Sequence, residues 1–297
     1  MKIQATTNGI LHGLVSTAMT RFALALCIVP TLAAKADLSI SSLPNTTLIT
    51  SYAEFGGGLL DESLVTINGN VGVSSDGTVD LMAPSRINGN VYVNSGATLT
   101  GPGTVHGTVF THQSLGAVQS QIDSASSVLA GLAPNQTFST LSTAQAFTVS
   151  AGNVHVVNVG TLNLNNANIT LSGGGYLVIN VSHGFDLTGT ASILASNPSH
   201  VFINYDGTSG SFNTHVGDTV DGYVFDTTVM ATLDGSWDGG LYGAQNEIEL
   251  LSGATVTSAP PTVPVPEPST IISGALLLVP LGISSLRALR QSRAAIK

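Results

Sequence analysis

An all-β chain wound into a β-solenoid, with one α-helix on its flank, is the fold class that the sequence predicts, and three observations predict it. The first is a repeat: Thr66-Ile67-Asn68-Gly69-Asn70-Val71-Gly72-Val73 returns as Arg86-Ile87-Asn88-Gly89-Asn90-Val91-Tyr92-Val93, a spacing of 20, with a fainter echo at Thr104-Val105-His106-Gly107-Thr108-Val109-Phe110. Short alternating apolar runs broken by Gly at a period near 20 suit stacked solenoid turns. Hairpins in an ordinary sandwich would also alternate, but they do not require one tetrapeptide to recur. The second is a single switch of period. From Ser114 to Leu132 the apolar positions are Leu115, Val118, Ile122, Val128, Leu129 and Leu132, a helical spacing, with Ser114 as the expected N-cap and Pro134 just beyond the end. The third is the return of alternation after that helix.

The later strands are expected at Val154–Val159, Leu162–Leu164, Ile169–Leu171, Tyr176–Val181, Ile193–Leu194, Val201–Tyr205, Gly222–Phe225, Val229–Leu233 and Glu247–Leu251, with Asn and Gly at the corners between them. A lone helix must bury its apolar stripe, and the flank of the solenoid is the surface available to it. The body so defined, 37–258 with its helix at 114–132, lies between two targeting segments. Residues 1–36 read as a signal peptide with a signal helix: Lys2 and Arg21 precede the apolar Phe22-Ala-Leu-Ala-Leu-Cys-Ile-Val, and Ala34-Lys35-Ala36 is a small-x-small cleavage site. Cys27 lies in that apolar run behind Leu26, where a lipoprotein signal wants a small residue. It is the sole cysteine, so cleavage leaves a chain that no disulfide can stabilise.

At the other end, Ala259 to Pro268 is a proline-rich, extended linker. It is followed by a short transmembrane helix at 269–286 and a basic cytoplasmic tail at 287–297. The uncharged run Ile271–Leu286 would span roughly 24 Å as a helix, close to the lower limit for crossing a bilayer. Arg287, Arg290, Arg293 and Lys297 place the end of the chain inside by the positive-inside rule.

Charge excludes several functions. Between Asp37 and Thr262 the only Lys or Arg is Arg86, whereas 16 of the 17 Asp and Glu lie there. Nucleic acid is not a partner, because nothing in the body neutralises phosphates. Attachment of the body to anionic lipid is disfavoured for the same reason.

The chain shows two resemblances to known families. "VPEPST", the apolar run and the basic tail, arriving in that order, resemble a PEP-CTERM sorting signal, and segments of this type are also associated with the C-termini of ice-binding proteins. The resemblance covers roughly the last tenth of the chain. It implies processing by an exosortase-type membrane protease in a Gram-negative producer of exopolysaccharide. Pro266, Glu267 and Pro268 would then be the recognised triplet, and Arg287, Arg290 and Arg293 would retain the tail in the cytoplasm. The body is similar in layout to the exported choice-of-anchor A domain and to the ice-binding-like adhesin fold, with loose echoes in "GDTVDGYVFDTTVMATLDGSWDGGLYG".

Catalysis finds little support among the residues. β-Helix lyases use an Arg or Lys near metal, and the body offers only Arg86. Glycosidases need two carboxylates about 5–9.5 Å apart. Asp218, Asp221, Asp226, Asp234 and Asp238 are the candidates, but acids at Gly-rich corners are more often turn formers. His106, His112, His155, His183, His200 and His215 show no metal-ligand spacing. The Asp-Gly corners offer oxygen ligands that suit Ca²⁺, but no EF-hand or nonapeptide pattern is present and no cofactor is expected. An ice-binding face would need small polar residues stacked at one position of successive turns. Thr98, Thr100, Thr104 and Thr108 gather locally and Thr161 and Thr170 recur later, yet no regular ladder can be traced along the sequence. The expectation is therefore a non-catalytic, exosortase-sorted protein of the cell surface or extracellular matrix. It would adhere to exopolysaccharide or other matrix components of a biofilm, with ice binding as the alternative and a polysaccharide-active enzyme as the second.

Overall fold

A computed structural model describes residues 38–258, apart from 40–42, 45, 47, 62–63, 75–76, 208, 227–228, 230 and 244–246. The signal peptide, the Pro-Glu-Pro triplet, the membrane segment and the basic tail lie outside the described residues. Among those described, no helix is long and apolar enough to cross a membrane.

The repeat is a turn of solenoid. Strands Val71–Val73, Thr78–Leu81 and Arg86–Ile87 form one three-sided turn, and Val91–Asn94, Thr98–Thr100 and Thr104–Val105 form the next. Pairing between them is parallel and in register, with Val71 opposite Val91, Val79 opposite Leu99 and Ile87 opposite Val105. The recurring Ile-Asn-Gly-Asn tetrapeptide has a physical reason at each position. Ile67 and Ile87 are fully buried in the interior. Asn88 Nδ2 donates to Asn68 Oδ1 across 2.8 Å on the outside. A Cβ on Gly89 would lie 2.1 Å from the Gly69 carbonyl oxygen, so only glycine lets the corners stack. Asn70 Oδ1 then accepts the Asn90 backbone N–H at 2.9 Å, and Asn90 Oδ1 accepts that of Thr108 at 2.9 Å.

The order of turns in space is not their order in the chain. The stack starts with residues 136–148 and proceeds through Asn153–Ser172, Tyr176–Ala195 and onward to Thr255–Thr257. The next turn is not later in the sequence but earlier. Glu54 pairs with Leu241, Leu59 with Ile248, and Thr66-Ile67-Asn68 with Thr255-Val256-Thr257, all in parallel. The turns between Glu54 and Gln113 thus continue the stack beyond its C-terminal turn.

That arrangement explains the helix, here called α1, Gly116–Ala130. After Val109–Gln113 the chain stands at one end of the stack, and its next strand, Gln136–Leu141, lies at the other. Hydrogen bonds record the return journey in order. The Leu115 N–H donates to Asn94 Oδ1, Gln121 Oε1 accepts the Leu48 and Ile49 N–H groups, Ser126 Oγ donates to Asn204 Oδ1, Asn180 Nδ2 donates to the Leu129 carbonyl, and the Asn135 N–H donates to Val156 O. Val118, Ile122, Ala125 and Leu129, at helical spacing, are buried. They belong to a cluster with Val154, Val156, Tyr176, Val178, Phe202, Tyr223 and Phe225, which point outward from the solenoid. The expected cap does not form. Leu115, with no side-chain cap bond, holds the N-cap position in place of Ser114, and its own N–H donates to the Asn94 side chain.

Inside, the stacked positions form apolar columns. Phe185 and Phe212, on neighbouring turns, stack at 4.2 Å with planes 5° apart. Among the apolar residues beneath α1 one column is polar: Asn204 is fully buried, accepts from Ser126 at 2.7 Å, and donates to Asn180 Oδ1 at 3.2 Å. Replacing Ser126 with Ala removes the hydroxyl donor and leaves that buried acceptor short of a partner, at a cost of about 1–3 kcal/mol. Chemical denaturation should show the loss, with the helical circular-dichroism signal retained at low denaturant. An unchanged midpoint would mean that the Asn column does not anchor α1.

Candidate functional site

The three faces of the solenoid differ in what they offer a partner. The face under α1 is covered. A second face carries Asn163, Asp186, Asn213, Thr232 and Glu249 in register on successive turns, with Asp80 and Thr100 further along the same column. Three acids in one column make it a charged surface.

The third face has one outward column that holds no acid. Its outward column runs Asn168, Ser192, Thr219, Ser236, Thr255, Thr66, Arg86, Thr104, each paired in register with the next. Five consecutive turns, from Ser192 to Thr66, thus present a hydroxyl at the same position. All five side chains are exposed or partly exposed. Beneath them Ile193, Val220, Trp237, Val256 and Ile67 are buried, which anchors the strands that carry the column. Parallel strands repeat at about 4.8 Å, so the five hydroxyls span roughly 19 Å in a straight line. Each hydroxyl offers one donor and two acceptor positions to water.

A second outward column stands beside the first, two residues along each strand and thus about 6.7 Å away. It contains Thr170, Leu194, Asp221, Asp238, Thr257, Asn68 and Asn88. Asn68 Nδ2 donates to Thr257 Oγ1 at 3.3 Å, which holds part of this column in place. Asp221 and Asp238 face each other on adjacent turns. Burial pushes both carboxyls above the usual range, and the Asp238 charge pushes Asp221 further, against the Ala195 N–H that donates to it.

A carboxyl raised in the folded state costs stability while ionised, and the cost fades as pH falls through its folded pKa. Thermal stability should therefore rise as pH is lowered from neutral toward the ordinary aspartate value, with a shallower rise in Asp238→Asn. Calorimetry across that range checks the prediction. Equal slopes in the two proteins would contradict the paired burial of these acids.

Several of the other expected candidates make structural contacts. Asp218 is 2% exposed and brackets a corner, accepting the Ala191 N–H at 2.9 Å and the His215 N–H at 2.8 Å. Asp234 Oδ1 accepts the N–H of Gly235. Asp226 pairs opposite Tyr205 in the sheet under α1. His200 stacks on Tyr176 at 4.2 Å, His155 lies against Phe147, and His215 Nε2 is 3.3 Å from Asp186. Among the described residues no three His, Cys, Asp or Glu gather as metal ligands.

The expectation of no regular ladder is corrected by the register. None of the five residues that form it is among the threonines named for such a face in the sequence; Thr104 lies further along the same column and Thr170 in the column beside it. Thr98 and Thr100 fall instead on the acidic face, with Thr98 Oγ1 3.2 Å from Thr78 Oγ1.

An ice-binding protein from an Antarctic biological consortium aligns with 75% of this chain and 92% of its own, at a TM-score of 0.53 and 14% identity. A second, from the Antarctic ascomycete Antarctomyces psychrotrophicus, aligns with 75% of this chain and 98% of its own, at 0.52 and 17%. A third, from an Arctic yeast, covers 76% and 97%, at 0.52 and 16%. The likeness is one of fold. No family model matches the sequence, and no curated protein matches it.

Proposed function

We propose that this protein binds ice, and that it does so through the face bearing Ser192, Thr219, Ser236, Thr255 and Thr66. The in-register hydroxyl column carries the proposal. Ice presents a regular, two-dimensional array of hydrogen-bonding oxygens. A stiff parallel sheet with hydroxyls at a fixed repeat can order water into a matching array at little entropic cost, since the strands are already fixed. Many weak contacts, made together, then hold the protein at the surface. The three solved structures of the same fold are ice-binding proteins, which supports this reading ahead of matrix adhesion. No group in the site is proposed to catalyse a reaction.

The sequence adds the route. The protein is exported with cleavage after Ala36. It is then held by 269–286 with its tail in the cytoplasm, and processed at Pro266-Glu267-Pro268 by an exosortase-type protease for delivery to the cell surface. Glu267→Ala should leave the precursor unprocessed, visible as a larger band retained in the membrane fraction. Normal processing of that variant would reduce the tail to a plain anchor.

For ice binding, the direct test is thermal hysteresis and crystal shaping by residues 37–262. A measurable freezing-point gap with faceted crystals is expected, and round crystals growing as in buffer would refute the proposal.

A further inference from the structure

The hydroxyl column does not run the length of its face. Thr66 pairs in register with Arg86, and Arg86 with Thr104, so a single arginine stands where a sixth hydroxyl would continue the series and Thr104 a seventh. Arg86 is exposed, and it is the only Lys or Arg among the described residues. Around it the face is otherwise regular: Ile87 is fully buried beneath, and Asn88 continues the Asn68 ladder.

We infer that Arg86 sets the boundary of the ice-contacting surface, confining it to the turns from Ser192 to Thr66. This inference rests on the ice-binding proposal above. A guanidinium carried on a long, exposed side chain projects beyond a layer of Thr and Ser hydroxyls and holds its own hydration shell, whereas the two carboxyls of this face, Asp221 and Asp238, are short and partly buried. Bringing ice against it would strip that shell without a counter-charge, because ice offers no anion. Contact therefore stops before this turn, and Thr104 beyond it is left outside the contact.

Three variants of the protein as exported, compared for thermal hysteresis at equal molarity, test the inference. R86T should extend the array by two turns and raise activity about two-fold, as added contacts do in a multivalent surface. R86K, which keeps a hydrated charge at the same place, should stay at the starting activity. Thr255→Tyr, inside the series with a hydroxyl on each side, should lose activity. Loss in Thr255→Tyr with no gain in R86T would overturn the boundary role alone. No effect from Thr255→Tyr would instead overturn the ice-binding face itself. A fall in R86T, with its melting temperature unchanged, would show that Arg86 contributes contact rather than limiting it.

Discussion

Thr255→Tyr should reduce thermal hysteresis on the order of ten-fold or more while leaving the fold intact. Thr255 is the fourth of the five hydroxyls, paired with Ser236 on one side and Thr66 on the other. A tyrosine ring there stands clear of its neighbours and holds an ice surface away from the hydroxyls on both sides. The contacts act together, so losing the fit at an interior position costs more than one contact in isolation. Stability is not at stake, since the side chain points outward and tyrosine is a favoured strand residue. The expected change is within about 0.5 kcal/mol. Paired measurements of crystal shaping and thermal unfolding check this. A destabilised protein with retained ice shaping would contradict both parts.

The second large effect lies in the interior. Phe212 is fully buried, stacked on Phe185 at 4.2 Å, edge-on to Tyr205 at 5.8 Å and near Trp237 at 6.3 Å. Phe212→Ala opens a cavity among rings held by neighbouring turns, which cannot collapse without shifting the strands that carry them. A loss of about 3–5 kcal/mol is expected, which for a body of this size lowers the melting temperature on the order of 10 °C. Phe212→Leu should recover much of it. A fall of only a degree or two in Phe212→Ala would mean that the turns repack freely.

The repeat and the helix were both legible in the sequence, because each rests on local spacing. Ile67-Asn68-Gly69-Asn70 and its copy are separated by one turn of chain, and the structure puts them in contact at that separation. The return of the early turns onto the late ones was not legible. Asn68 meets Thr257 across 189 residues, and no local pattern marks such a contact. The hydroxyl column was hidden for a related reason. Successive members are 27 residues apart from Ser192 to Thr219 but only 17 from Thr219 to Ser236, because corner loops vary in length. A fixed period therefore misses it. A small outward residue one place before a buried Ile or Val (Thr66-Ile67, Ser192-Ile193, Thr219-Val220, Thr255-Val256) is the signal that could have found it. The missed cap at Ser114 is a smaller case: the helix starts one residue later, where Leu115 is tied by its N–H to Asn94 of a neighbouring turn.

Partition into growing ice tests the central claim most directly. The fluorescently labelled body, 37–262, is frozen slowly from dilute solution onto a cooled probe, beside an acidic soluble protein of similar size. Enrichment of the body in the ice, lost in Thr255→Tyr, is the predicted result. Exclusion of the body to the same extent as the control protein would contradict it.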